Sequence, residues 1–389
     1  MKRMTLLAMS VLTATTPFIS NAANNMIEAR GAAMGNTGVA SADYLTAGLY
    51  NPALAASFHE SDDIGLLLPT LGGEGRDSDD SISTLDDLQS LIESYENGQP
   101  GDITALTEIN RLLDQLEGNK PTTVTATLGF ALAIPSHLVS TNLYARGYAE
   151  AIAKPLIVST PNTGNPIADI EQRYMNSEVQ MLAFANAELG LALGKSFSIA
   201  QKDISFGLTP KLQKLRTYSL IASVKEFEAD KAEDSLVEKS AFNLDLGAAW
   251  NYNNWRMGLA VRDILTQEVD VNTISGQKID TYKLNPMITV GTAYNGEFVT
   301  AAVDIELTKQ ERFTSLNDET QYLRFGIEGN AWGWAQLRAG YEIDMQDNAD
   351  SAITAGIGLS PFDVVSLDLA GNYAGSNQMG ASANLAFTF

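Results

Sequence analysis

From about Thr122 to the last residue, the chain is written in runs of roughly ten residues in which apolar side chains alternate with small or polar ones. A period of two belongs to strands that are apolar on one face and wet on the other; a helix repeats every 3.6 residues and cannot satisfy it. At the C-terminus Ala381, Ala383, Leu385, Phe387 and Phe389 share one face, while Gly380, Ser382, Asn384, Ala386 and Thr388 share the other. Leu323, Phe325 and Ile327 oppose Arg324 and Glu328 in the same way, and Leu337, Ala339, Tyr341 and Ile343 oppose Gln336, Arg338 and Glu342.

A soluble antiparallel sheet also alternates, so the polar face has to discriminate. Here it is rich in Gly and small residues and carries both signs of charge: Arg146, Asp245, Arg256, Arg262, Asp304, Glu306, Arg324, Glu328, Arg338, Glu342 and Asp368. Such a face suits a watery or filled lumen, where opposite charges offset one another's desolvation. Runs near ten residues match the tilted span of a bilayer. Trp250, Tyr252, Trp255, Tyr282, Tyr294, Trp332, Trp334, Tyr341 and Tyr373 fall near strand ends, where an interfacial girdle would sit. The expected fold is therefore an all-β membrane barrel, closed on itself because a strand edge in lipid has no water to satisfy its amides. The runs number about fourteen, joined by tight turns such as Asn253-Asn254 and Asn295-Gly296 and by long loops over 150–177, 217–240 and 265–284.

The period changes between Ser83 and Gly118. Leu85, Leu88, Leu91, Ile92 and Tyr95 follow helical spacing, and a second stripe runs through Ile103, Leu106, Ile109, Leu112, Leu113 and Leu116. This predicts a helical hairpin inserted at about 83–118. It either docks a lipid, ligand or partner through its stripe or packs on itself and the barrel rim. The acid-rich stretch Gly72 to Asp80 lacks a calcium-loop spacing and reads as a solvated loop.

Lys2 and Arg3, an apolar run from Leu6 to Leu12, Pro17 and then Ser20-Asn21-Ala22 form a secretory signal peptide, expected over 1–22. No later segment is apolar enough for a transmembrane helix. The chain has no Cys, and a net charge of -22 argues against nucleic acid as a partner. With no Walker loop, no Gly-x-Ser-x-Gly elbow and His59 and His137 far apart, nothing points to an enzyme, a metal or a cofactor. The organisation expected is a signal peptide, an N-terminal segment over 23–60 and a barrel over 61–389.

That N-terminal segment is compact and irregular. It reads Ala29-Arg30-Gly31-Ala32-Ala33-Met34-Gly35-Asn36-Thr37-Gly38-Val39-Ala40, with Tyr50-Asn51-Pro52-Ala53 following. Irregular backbone is tolerated at membrane depth only inside a barrel, which makes residues 23–60 a candidate plug, the alternative being an ordinary periplasmic N-terminal extension. The segment resembles the opening of the FadL-like outer-membrane superfamily, and the resemblance implies Arg30, Met34, Gly35, Asn36, Asn51, Pro52 and Ala53 as the plug motif. Asn285-Pro286, Gln321 to Glu328 and Gln336 to Tyr341 look like the branch described as conjugal transfer TraF-like proteins. The resemblance implies an outer-membrane location, a fourteen-strand barrel and a luminal plug past which hydrophobic or amphipathic molecules diffuse. Its alternative is a non-transporting component of a conjugation or secretion apparatus. Expected partners are outer-membrane lipid, the barrel-assembly machinery through Phe389, and either a hydrophobic small molecule or an envelope protein.

Overall fold

A computed structural model of the protein describes residues 28–98, 102–199, 202–316, 319–331, 333–361, 364–375 and 377–389. The expected signal peptide lies outside the described residues. The chain opens with α1 (Ala29–Ala33), α2 (Ala47–Tyr50) and a 3-10 turn (Pro52–Ala56). The strands that follow are β1 (Gly65–Arg76), β2 (Thr122–Ile134), β3 (Ser140–Leu156), β4 (Glu178–Ile199), β5 (Lys202–Ser223), β6 (Val237–Tyr252), β7 (Trp255–Arg262), β8 (Gln267–Asn272) and β9 (Lys278–Leu284). They continue with β10 (Met287–Asn295), β11 (Val299–Glu306), β12 (Tyr322–Ala331), β13 (Ala335–Asp344), β14 (Ala352–Leu359), β15 (Val365–Gly375) and β16 (Gln378–Thr388). All but β8 and β9, which pair with each other, join into one closed antiparallel barrel of fourteen strands. Closure comes from β1 against β16, in register from Gly65 opposite Thr388 to Arg76 opposite Gln378, so every barrel strand has a neighbour on both sides.

The alternation sorts the wall into two faces. Leu337, Ile353, Ile357 and Leu369 stand exposed on the outside, while Arg324, Glu342, Asp368 and Asn384, one residue out of phase, are buried inside. Pro69 makes a bulge in β1, after which Thr70, Glu74 and Arg76 take the inner phase and Leu71 the outer one. Tyr252, Trp255, Tyr294 and Trp334 ring the outside at the short-turn end, with Trp255 edge-on to Tyr294 at 5.4 Å. Tyr282 departs from the expected girdle: it lies in β9, inside the barrel mouth, stacked on Phe184 at 3.6 Å. Trp332 lies outside the described residues.

The long connections emerge at one end. The first carries α3 (Ser81–Asn97) and α4 (Ile103–Leu116), starting two residues before the expected insertion, and a further helix, α5 (Pro166–Asn176), occupies the β3–β4 connection. The apolar stripes of these helices are spent on packing. Leu88, Ile92, Leu106, Ile109, Leu113 and Leu116 form one core with Tyr174, Val179 and Val224, on the outer face of the long strands β3–β5. Burying them removes the stripe as a free docking face.

The acid-rich stretch is likewise structural. Gly72 to Arg76 belong to β1, and the Asp77 carboxylate accepts from Ser81 N at 2.8 Å, Ile82 N at 2.9 Å and Thr122 Oγ1 at 3.0 Å. It caps α3 from outside the helix and ties it to β2. Asp77→Ala should cost about 1–2 kcal/mol locally, read as faster amide hydrogen exchange across α3 with exchange in β5–β7 unchanged.

Candidate luminal site

The segment from Glu28 to Ser57 lies inside the barrel, because the residues that hold it come from strands all round the closed ring. Helices as short as α1 and α2 have almost no stability of their own, so the wall supplies what they lack.

The first anchor is charged. Arg30 forks onto Glu328 of β12, Nε to Oε2 at 2.9 Å and Nη2 to Oε1 at 3.0 Å, and its Nη1 donates to the carbonyl of Ser41 at 2.8 Å. Glu328 also accepts from Arg338 at 2.7 Å; Arg338 reaches Asp368 at 2.5 Å; and Asp368 accepts from Asn384, whose Oδ1 receives Ala29 N at 2.8 Å. Chain and wall thus share one continuous network in which each charge is offset in place.

Further along, Asn36 adopts φ 56 and donates from Nδ2 to Glu342 at 2.7 Å. Glu342 and Glu306 flank Arg324, at 3.3 Å and 2.7 Å. Asp304 receives the amides of Gly38 at 2.8 Å and Val39 at 3.0 Å, as a carboxylate does at a helix start. Met34 is buried against Ala40, Ala293 and Ala302. Gly35 takes φ +64, where a side chain would be strained, and its amide donates to Thr354 Oγ1 at 2.9 Å. Arg256 donates to Asn251 Oδ1 at 2.9 Å and to the carbonyls of Ala40 and Ala42 at 3.4 Å.

Asn51-Pro52-Ala53 works as a unit. The Asn51 side chain accepts from Ala53 N at 3.1 Å and donates to the carbonyl of Val39 at 2.8 Å and to that of Ala248 in the wall at 3.2 Å. Pro52 starts the 3-10 turn, where its missing amide hydrogen costs nothing. Ala53 sits so close to β5 that a methyl group on Gly207 would overlap the Pro52-Ala53 backbone. Gly340 of β13 meets Met34 and Gly35 equally closely.

A separate cluster lies on the β3–β7 side. Lys211, fully buried, reaches Asp245 and Asp263 at 2.8 Å each and Glu188 at 3.6 Å, while Arg146 contacts Glu188 at 3.0 Å. Arg262 lies within electrostatic reach of the same three carboxylates. The luminal charges expected from the sequence include Arg146, Asp245 and Arg262 but omit Lys211, Glu188 and Asp263. The signal is present in part: Thr209, Lys211, Gln213 and Leu215 continue one phase straight through Pro210, which reads as a strand breaker in isolation.

The long-loop mouth is occupied too. The β8–β9 hairpin, expected as plain loop, folds inward, and Val269, Val271, Tyr282 and Leu284 pack on luminal Ile152, Leu182, Phe184 and Leu215. Tyr282 Oη donates to Glu150 at 2.9 Å. Beside the hairpin a polar cavity of about 180 Å³ is lined by Arg76, Arg312, Tyr322, Thr125 and Gln378.

Glu28, also absent from the expected motif, caps α1: its carboxylate accepts from Gly31 N at 2.5 Å, Arg30 N at 2.7 Å and Tyr50 Oη at 3.1 Å. Burial, reinforced by Asp368, pushes this carboxyl up to about 7, with Arg30 and the Gly31 amide pulling the other way. The bound proton is held more tightly in the docked segment than in a released one. Its contribution is therefore full below the ordinary carboxylate range near 4.5 and is lost as pH rises through about 7. Thermal stability of the barrel should fall between pH 5 and pH 8 by an amount worth roughly 2–3 kcal/mol, and Glu28→Gln should flatten that dependence.

Solved structures of other proteins share this architecture. The TodX monoaromatic hydrocarbon channel, as its deltaS2S3 mutant, is similar at TM-score 0.54 and 12% identity, over 93% of this chain and 99% of that one. The Ralstonia pickettii toluene transporter TbuX follows at 0.51 and 11%, over 93% and 98%. A Pseudomonas aeruginosa FadL homologue gives 0.52 and 9%, over 96% and 99%. At these identities the likeness is one of fold; the TodX and TbuX proteins themselves are described as a channel and a transporter. A search of the curated proteins finds no match. The family model described as "F plasmid transfer operon, TraF, protein" matches residues 48–306, about two thirds of the sequence, running from the second helix of the inner segment to the end of β11, and the chain belongs to that family.

Proposed function

We propose that the protein is an outer-membrane channel that passes small hydrophobic or amphipathic molecules, with the inner segment acting as its plug. The observation that carries this reading is the filling of the lumen: residues 28–57 occupy it through hydrogen bonds and ion pairs to β3, β6, β7, β11–β14 and β16, contacts that exchange with water more readily than an apolar core would. Two features support the substrate class. An apolar groove of about 600 Å³ on the outer wall, lined by Leu71, Ala126, Leu128, Leu369, Ala381 and Ala383, offers an apolar solute a place beside lipid. The mouth sets the Phe184-Tyr282-Phe313 aromatic group beside a polar cavity whose arginines, Arg76 and Arg312, are paired with Glu74 and Glu150, a mixture of apolar and polar surface that suits an amphipathic solute. Similar structures include a monoaromatic hydrocarbon channel and a toluene transporter.

The test is entry of an apolar fluorophore such as N-phenylnaphthylamine into cells with and without the protein. Uptake should rise several-fold with it. Equal uptake would remove the reading. The family description favours a second one, a non-transporting part of a conjugation apparatus. In-cell crosslinking from the long-loop helices should then recover one defined envelope protein, where the channel reading expects none.

A further inference from the structure

A further cavity, about 560 Å³, opens between the helix α3, the long-loop ends of β2–β4 and the β5–β6 connection. The strand period fixes which side of the wall it occupies. Ala153 and Val179 line it, and they stand in the opposite phase to luminal Ile152 and Leu182, so the cavity lies outside the barrel and the wall separates it from the lumen. Its floor is apolar, made by Leu85, Pro155, Val179 and Phe227.

The rim is acidic. Asp86 comes from α3, and Glu226, Glu228 and Asp230 come from the β5–β6 connection. Lys225 is the basic residue among those lining the cavity, and its ammonium is engaged by Glu96 at 2.6 Å; Lys231 pairs with Glu228 at 2.9 Å from just beyond. With Lys225 matched by Glu96 and Lys231 by Glu228, the carboxylates of Glu226 and Asp230 leave the entrance negative, and the chain's net charge of -22 strengthens the same field.

We propose that this cavity binds a small amphipathic organic cation. Its apolar body would lie between Leu85 and Phe227, with the charged end among Glu226, Glu228 and Asp230. The volume falls in the range of small-molecule sites, roughly 300–1,000 Å³, and is too small for a folded partner element. Carboxylates beside an apolar floor favour a ligand that joins an apolar body to a positive charge. An amphipathic anion meets like charge at the entrance and is disfavoured. The site stands apart from the channel reading: it faces away from the lumen, and its occupancy does not depend on whether anything is conducted.

Calorimetric titration of the full chain in neutral nanodiscs tests it, using decyltrimethylammonium as the probe and decyl sulfate and decanol as anionic and uncharged controls of equal chain length. Partition into lipid is the same for every variant, so the differences read the site. The cation should bind saturably, one per protein, at least about tenfold tighter than either control, and more weakly as salt is raised. Glu226→Gln with Glu228→Gln, both on the exposed connection, should weaken the cation by about tenfold while the barrel keeps its folded mobility on unheated gels. Leu85→Trp should fill the floor and abolish binding. Equal affinity for decyl sulfate or decanol, or cation binding indifferent to the double charge variant, would overturn the proposal.

Discussion

Lys211→Met should destabilise the barrel more than any other single luminal substitution, by about 3–5 kcal/mol, because it leaves buried carboxylates without their counter-charge. Lys211, Arg146 and Arg262 stand against Glu188, Asp245 and Asp263, three charges of each sign among strands β3–β7 and the residue following β7. The lysine side chain is fully buried, so the carboxylates it leaves behind have no bulk water beside them. Its loss forces either protonation of a carboxylate or opening of the wall. The readout is the temperature at which the folded, fast-migrating form disappears from unheated gels. Adding Asp263→Asn to Lys211→Met should recover part of the loss, since it removes one of the stranded charges, and the size of that recovery measures the coupling. A Lys211→Met protein as heat-resistant as the native one would show that the cluster is not a closed electrostatic unit.

Deleting residues 28–57 should open the lumen. The wall would remain, because its strand ladder closes through β1 and β16 without help from the segment. In planar bilayers the full chain should be nearly silent and the deletion should give discrete steps, a rise of about tenfold or more in conductance. Two seals lie in series, however, since the β8–β9 hairpin is packed into the opposite mouth by Val269, Tyr282 and Phe313. Noise from hairpin motion should therefore accompany the steps, and removing residues 267–284 as well should make them long-lived. Gly340→Val offers a milder route: its side chain would collide with Met34 and Gly35 and push α1 off β13, giving intermittent opening. If the double deletion conducts no better than the full chain, the inner segment is not what closes this barrel.

How much of this is legible in the sequence follows the range of each interaction. Strand phase is local, set by two neighbours, and the charges it assigns to the inner face include Arg146 in β3, Asp304 in β11, Arg324 in β12 and Asp368 in β15, all of them buried. The helical stripes through Leu88 and Ile92, and through Ile109 and Leu113, are equally readable, because they repeat within a few turns. Their target is not. Nothing near Leu88 or Ile109 announces that Tyr174 and Val224, far along the chain, will cover them. The 265–284 stretch escapes for the opposite reason: its two strands are short, separated by turn chemistry at Thr273, Ser275 and Gly276, and stand apart from the barrel ladder, so they carry too few alternations to stand out.

Side-chain order along the backbone is enough to specify strands with one apolar face, a ring of about fourteen of them, and an irregular glycine-rich segment ahead of the first. Which charge faces which emerges only once the ring is closed: Arg30 takes Glu328, Asn36 takes Glu342, and Lys211 stands among three acids. The first two of these pairs join residues about three hundred positions apart. Closure and strand register bring them together, and neither is written in any one strand, because a buried charge is tolerable only where the completed barrel delivers its opposite.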